Sequence, residues 1–96
     1  MQQYLITAYD FTDSEALNRR MAIRPAHLEG VRKLKQTGNF IIGGAILSPA
    51  GQMMGSSMIV AFSNEEELDA YLKTEPYITG NVWDKVEIKP FRVADV

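Results

Sequence analysis

His27 is the single histidine of this 96-residue chain, and there is no cysteine. Together these facts narrow the available chemistry. Thiolate nucleophiles, disulfides and cysteine metal sites are excluded. Histidine ordinarily titrates near pH ~6.5, so His27 is the natural group for taking and returning a proton near neutrality. Its neighbours Leu28, Val31 and Leu34 form an apolar stripe of helical period, which points this part of the helix at a core. A lone histidine there is more often a packed, hydrogen-bonded core residue than a catalyst, and both readings stand. Arg24 lies three residues earlier, one helical turn away, so it and His27 can face one cavity. Its guanidinium suits a substrate carboxylate or enolate, or equally a salt bridge to a nearby glutamate. Ser56 and Ser57 begin a strand, and a hydroxyl there can donate to a substrate oxygen. No G-x-S-x-G elbow accompanies them, which argues against a serine nucleophile.

Other chemistries find less support. One histidine with scattered carboxylates offers no two-histidine or facial-triad spacing, so neither a metal nor a cofactor is expected. Gly43-Gly44 and Gly55 belong to no phosphate-loop motif and read as bulge or close-packing positions. Ten basic against twelve acidic residues leave a net charge of −2, without the basic excess of a nucleic-acid or anionic-lipid binder. Aromatics on a sheet can stack RNA bases, but Ser57 to Phe62 holds no arginine or lysine, so that reading is rejected. No apolar run approaches the ~18 residues of a membrane span, and Met1-Gln2-Gln3-Tyr4 lacks signal-peptide features, so a cytoplasmic protein is expected.

The elements that must position these groups follow from pattern. Tyr4 to Asp10 reads as a first strand. Thr12 and Glu15 make a capping box ahead of a helix, with a break or kink expected near Arg24 because Pro25 disfavours the α conformation before it. Gly38 ends that helix. Phe40 to Leu47 and Ser57 to Phe62 read as two antiparallel strands joined through Ser48-Pro49-Ala50-Gly51. Ser63 and Glu66 form a second capping box, followed by the helical stripe Leu68, Tyr71, Leu72. Pro76 ends that helix or restarts it as a short turn through Gly80. Val82 to Val93 is the last strand, with Val86 and Ile88 on one face and charges on the other.

The order β-α-β-β-α-β describes an α+β, ferredoxin-like plait, with four antiparallel strands and both helices on one face. Residues 1–96 read as one domain. The other sheet face has no helix left to cover it, so a homodimer with sheets packed face to face is expected.

Arg24-Pro25-Ala26-His27-Leu28 resembles the YciI-like (YCII-related) family of small bacterial proteins. So do Gly38-Asn39-Phe40-Ile41-Ile42-Gly43-Gly44-Ala45, Gly55-Ser56 leading into Met58-Ile59-Val60, Glu75-Pro76-Tyr77, and Val86-Glu87-Ile88-Lys89-Pro90-Phe91. The fragments cover almost the whole chain in order. The resemblance implies a dimeric α+β barrel of ferredoxin-like halves, with a pocket between helix and sheet and a histidine–carboxylate pair. The histidine carries over to His27. Its partner carries over to the position before Pro76-Tyr77, where the family usually has aspartate and this chain has Glu75. Glu75 would then fix the imidazole tautomer. Arg24, Ser56 and the Tyr77 hydroxyl would hold substrate oxygens. Some relatives are dehydrochlorinases acting on chlorinated hydroxyquinols, and similar folds host muconolactone isomerases. The implied activity is cofactor-independent proton transfer of lyase or isomerase type on a small organic acid. The competing expectation is a non-catalytic ligand-binding or dimerisation domain that uses the same pocket.

Overall fold

The computed structural model describes residues 1–96. Its elements are β1 (Gln2–Asp10), α1 (Ala16–Gln36), β2 (Phe40–Leu47), β3 (Met53–Phe62), α2 (Glu65–Leu72), α3 (Pro76–Thr79) and β4 (Trp83–Phe91). The strands form one antiparallel sheet in the order β2-β3-β1-β4. This is the ferredoxin-like α+β arrangement read from the element order. No helix is long and apolar enough to cross a membrane.

Alternation along the two central strands builds the core. Tyr4, Ile6 and Ala8 of β1 lie opposite Val60, Met58 and Ser56 of β3, and all six are buried on the helix side. Leu68 from α2, Tyr77 from α3, and Val82 with Trp83 at the start of β4 close over them. Each fully buried aliphatic side chain contributes about 1.5–3 kcal/mol, so this cluster supplies much of what holds the helices down. Gly43 permits the β2–β3 approach, because a Cβ there would stand 2.7 Å from the Cβ of Met58.

Local signals were displaced in several places. The Thr12–Glu15 capping box does not form. Glu15 is the residue before α1 but makes no side-chain cap, because its carboxylate accepts from Asn18 Nδ2 at 2.8 Å. Asp13 takes over, accepting the Glu15 N–H at 3.1 Å and a forked pair of bonds from Arg19. α1 does not break at Arg24 and runs unbroken through Pro25. Pro25 and Met21 both lie on the exposed side, so water can satisfy the Met21 carbonyl that proline leaves without a donor. The second cap forms one residue later than expected and is not a closed box: Asn64 Oδ1 accepts the Glu67 N–H at 2.9 Å, while Glu67 Oε1 accepts the N–H of Ser63, the residue before the cap, at 3.1 Å. Asparagine caps as well as serine, and this phase turns Leu68 inward. β3 starts at Met53 rather than Ser57, since ladder pairing with β2 down to Leu47 carries residues of weak strand preference. Val86 and Ile88 do share the face of Ala8 and Ile6, yet they stay well exposed at the sheet edge.

Candidate active site

α1 presents Arg20, Arg24, His27 and Val31 at spacings of four, three and four, one stripe of a 3.6-residue helix. Opposite stand Phe40, Gly43 and Ala45 of β2 with Ser56 and Met58 of β3, and Tyr77 of α3 closes one end. Between them lies a cavity of about 210 Å³. A dry cavity of about 150 Å³ is enough for benzene, so this space suits one ring with polar substituents.

Behind the cavity, His27 Nδ1 lies 2.6 Å from Glu75 Oε1. Glu75 is 1% exposed. Its chain position explains how it stays satisfied there. Extended backbone before Pro76 makes Glu75 the N-cap of α3, so Oε1 also accepts the Tyr77 N–H at 3.1 Å. Oε2 accepts from the Tyr71 hydroxyl, one helical turn upstream. Burial, then the Glu75 charge and this hydrogen bond, push the Tyr71 phenol far above its usual range, so it remains a donor. A carboxylate with that set of donors is an acceptor at Oε1, which puts the proton on His27 Nδ1. Nε2 has no partner in the chain, and the ring borders the cavity. The Tyr77 ring stacks on the imidazole at 4.0 Å with planes 14° apart, and Trp83 meets it edge-on at 6.2 Å.

A second polar network completes the wall. Arg20, 2% exposed, donates from one terminal nitrogen to both Asp10 oxygens at 2.9 and 3.0 Å, and from the other to Ser56 Oγ at 2.8 Å. Trp83 Nε1 donates to the same Ser56 oxygen at 3.1 Å. The guanidinium lies over the Tyr77 ring at 4.6 Å, and its Nε has no partner. Burial pushes the Asp10 carboxyl up from its ordinary value, against the hydrogen bonds and charge of Arg20. Neither Arg20 nor Asp10 was singled out in the sequence. The available signal was helical phase, since Arg20 precedes Arg24 by four residues and Arg19 does not share that stripe.

The residues singled out there are therefore brought together in unequal ways. Arg24, His27, Ser56 and Tyr77 border the cavity. Arg24 forms no ion pair with any glutamate. Glu75 does not border the cavity, and it touches the lining through the His27 ring and the Tyr77 N–H. Ser56 lies within β3 rather than at its start, and its hydroxyl is already engaged as a double acceptor. Tyr77 is buried, its hydroxyl has no partner in the chain, and burial raises its phenol above the ordinary value against the opposing charges of Arg20 and Arg24.

Residues 2–92 match the family model for the YCII-related domain. Protein YciI of Escherichia coli is 32% identical over 95 residues, covering 93% of this chain and 95% of that one. The derivative of benzaldehyde biosynthesis cluster protein C of Emericella nidulans is 32% identical over 85 residues, covering 80% and 87%. Among solved structures, the 5-chloro-2-hydroxyhydroquinone dehydrochlorinase of Burkholderia phenoliruptrix, in complex with 2,5-dihydroxybenzoquinone, superposes with a TM-score of 0.84 at 20% identity, covering 96% and 95%. At that identity the likeness concerns the fold.

Proposed function

The chain belongs to the YCII-related domain family, and on that footing we propose that it is a small cofactor-independent enzyme in which His27 moves a proton on a ring-derived organic acid. The observation that carries this reading is the 2.6 Å contact from His27 Nδ1 to the buried Glu75, with Nε2 left free beside a ring-sized cavity. Glu75 fixes the tautomer and stabilises the imidazolium that forms. Nε2 takes a proton from a substrate hydroxyl or from carbon next to a carbonyl. In an elimination, the electron pair expels chloride and the proton leaves His27 for solvent, so HCl is lost overall. In an isomerisation, His27 returns the proton to a different carbon. Arg24, Ser56 and the Tyr77 hydroxyl hold the oxygens on which negative charge develops. The dehydrochlorinase of similar fold, solved with a dihydroxybenzoquinone, supports the choice of ring compounds.

The same reading includes a homodimer paired through the open sheet face. Leu5, Ile59 and Ile42 form a row across β1, β3 and β2 on the side away from the helices, and Ile42 is 63% exposed. Burying such a row against its own copy removes apolar surface from water.

The test is turnover of chlorinated hydroxyquinols and lactones, followed as chloride release and as change in ring absorbance. General acid–base catalysis is worth roughly 10²–10⁴-fold, so His27→Ala should lose at least about 100-fold. Equal turnover by both proteins removes His27 from the mechanism. A wild-type protein that turns over none of them, yet melts higher in their presence, is a binding domain instead.

A further inference from the structure

The hydrogen-bond arithmetic at Ser56 goes beyond a hydroxyl that merely lies near a substrate. A serine hydroxyl has two acceptor positions and one donor proton. Arginine and tryptophan side chains carry donors only. Arg20 fills one acceptor position of Ser56 Oγ at 2.8 Å, and Trp83 Nε1 fills the other at 3.1 Å. The proton is thereby left to donate, and Ser56 gives no hydrogen bond to any group of the chain. Ser56 borders the cavity. Arg20 cannot turn away, because its other terminal nitrogen is held by both oxygens of Asp10.

We propose that Arg20 and Trp83 are positioning residues that lock Ser56 as a one-way hydrogen-bond donor, so that the cavity selects ligands presenting an oxygen acceptor, preferably anionic, at that point. The remaining charges agree. Arg20 is neutralised by Asp10 at 2.9 Å and Glu75 is set back behind His27, so Arg24 is the unpaired charge on the wall. A carboxylate, phenolate or enolate oxygen satisfies Ser56 and Arg24 together. A ligand that brings an N–H to Ser56 meets a proton instead of a lone pair, and both groups lose a partner. This inference rests on the cavity being the substrate site.

Benzoate, benzamide and benzamidine test it, because they share one planar shape and differ in what they present. Affinities come from calorimetry or ligand-detected NMR. The wild-type protein should bind benzoate at least about tenfold more tightly than benzamide, the scale of one charge-assisted hydrogen bond, and benzamidine most weakly. Arg24 alone would also favour an anion, so the decisive variant is Trp83→Phe, which changes no charge and frees one acceptor position on Ser56. It should compress the benzoate-to-benzamidine ratio severalfold, because benzamidine carries donors only whereas benzamide still offers a carbonyl oxygen to Ser56, and Arg20→Lys should do the same where it folds. Equal affinities in the wild type, no benzoate binding at millimolar concentration, or an unchanged ratio in Trp83→Phe overturns the inference. None of these readouts requires turnover. Loss of activity in His27→Ala with a flat ligand ratio would defeat the polarity argument alone, and the ligand preference without turnover would defeat only the catalytic reading.

Discussion

At the scale of single residues, the carboxylate behind His27 carries the sharpest consequence of the geometry. Glu75 holds three donors at once: the imidazole, the Tyr77 N–H and the Tyr71 hydroxyl. The extra methylene of glutamate is what lets one carboxylate at the start of α3 reach the imidazole and a tyrosine on α2. Glu75→Asp, although it restores the residue usual in the family, should therefore let go of Tyr71 or His27. Losing one hydrogen bond to a charged group costs about 1.5–3 kcal/mol, so turnover should fall about 10- to 100-fold. Steady-state rates across pH measure it, and an Asp variant as fast as the wild type would show that the reach of Glu75 is idle. His27 was legible in the sequence because it is the single histidine of the chain. Arg20 was not, because Arg19 and Arg20 stand side by side and only their helical phase tells an exposed ion pair with Asp13 from a buried one with Asp10. Asp10 was hidden for a similar reason, since its alternating position at the end of β1 turns a charge inward where an apolar residue is the usual choice.

At the scale of elements, a sequence shows what depends on periodicity more plainly than what depends on one local contact. The strand order and the stripe on α1 follow from burial, which a whole segment must satisfy together. The start of α1 depends on which of several neighbouring acids wins one N–H, and there Asp13 displaced Thr12. Its carboxyl is held below the ordinary aspartate value, first by the Arg19 hydrogen bonds and, more weakly, by the Glu15 N–H and the Arg19 charge, with desolvation opposing them. A carboxyl lowered in the folded state adds stability above its unfolded value, about 3.9, and loses it as pH falls through the folded value. The wild-type melting temperature should therefore drop more steeply below about pH 4 than that of Asp13→Asn. Parallel acid limbs for the two proteins would show that this solvent-exposed link does nothing for α1.

The whole molecule joins these two scales through its uncovered face. The helices occupy one side of the sheet, and the cavity lies between them and β2–β3, so β2, an edge strand, is a wall of the site on one side and bare on the other. Its helix side offers Gly43 and Ala45, small residues that leave room for a ligand, while Ile42 points to the opposite side beside Ile59. Of the β2 side chains, Phe40 alone packs against the core, so the strand gains modestly from the helix side. Pairing of two copies through the Leu5–Ile59–Ile42 row would brace it from behind. Ile42→Lys places a charge on that row without touching the cavity lining. The wild-type protein should sediment at twice its 10.8 kDa chain mass. The variant should sediment at that mass with its circular dichroism intact, and with weaker benzoate binding because β2 is no longer held. A wild-type protein that sediments as one chain at micromolar concentrations would mean that the face is left to water and that β2 keeps its place without a second copy.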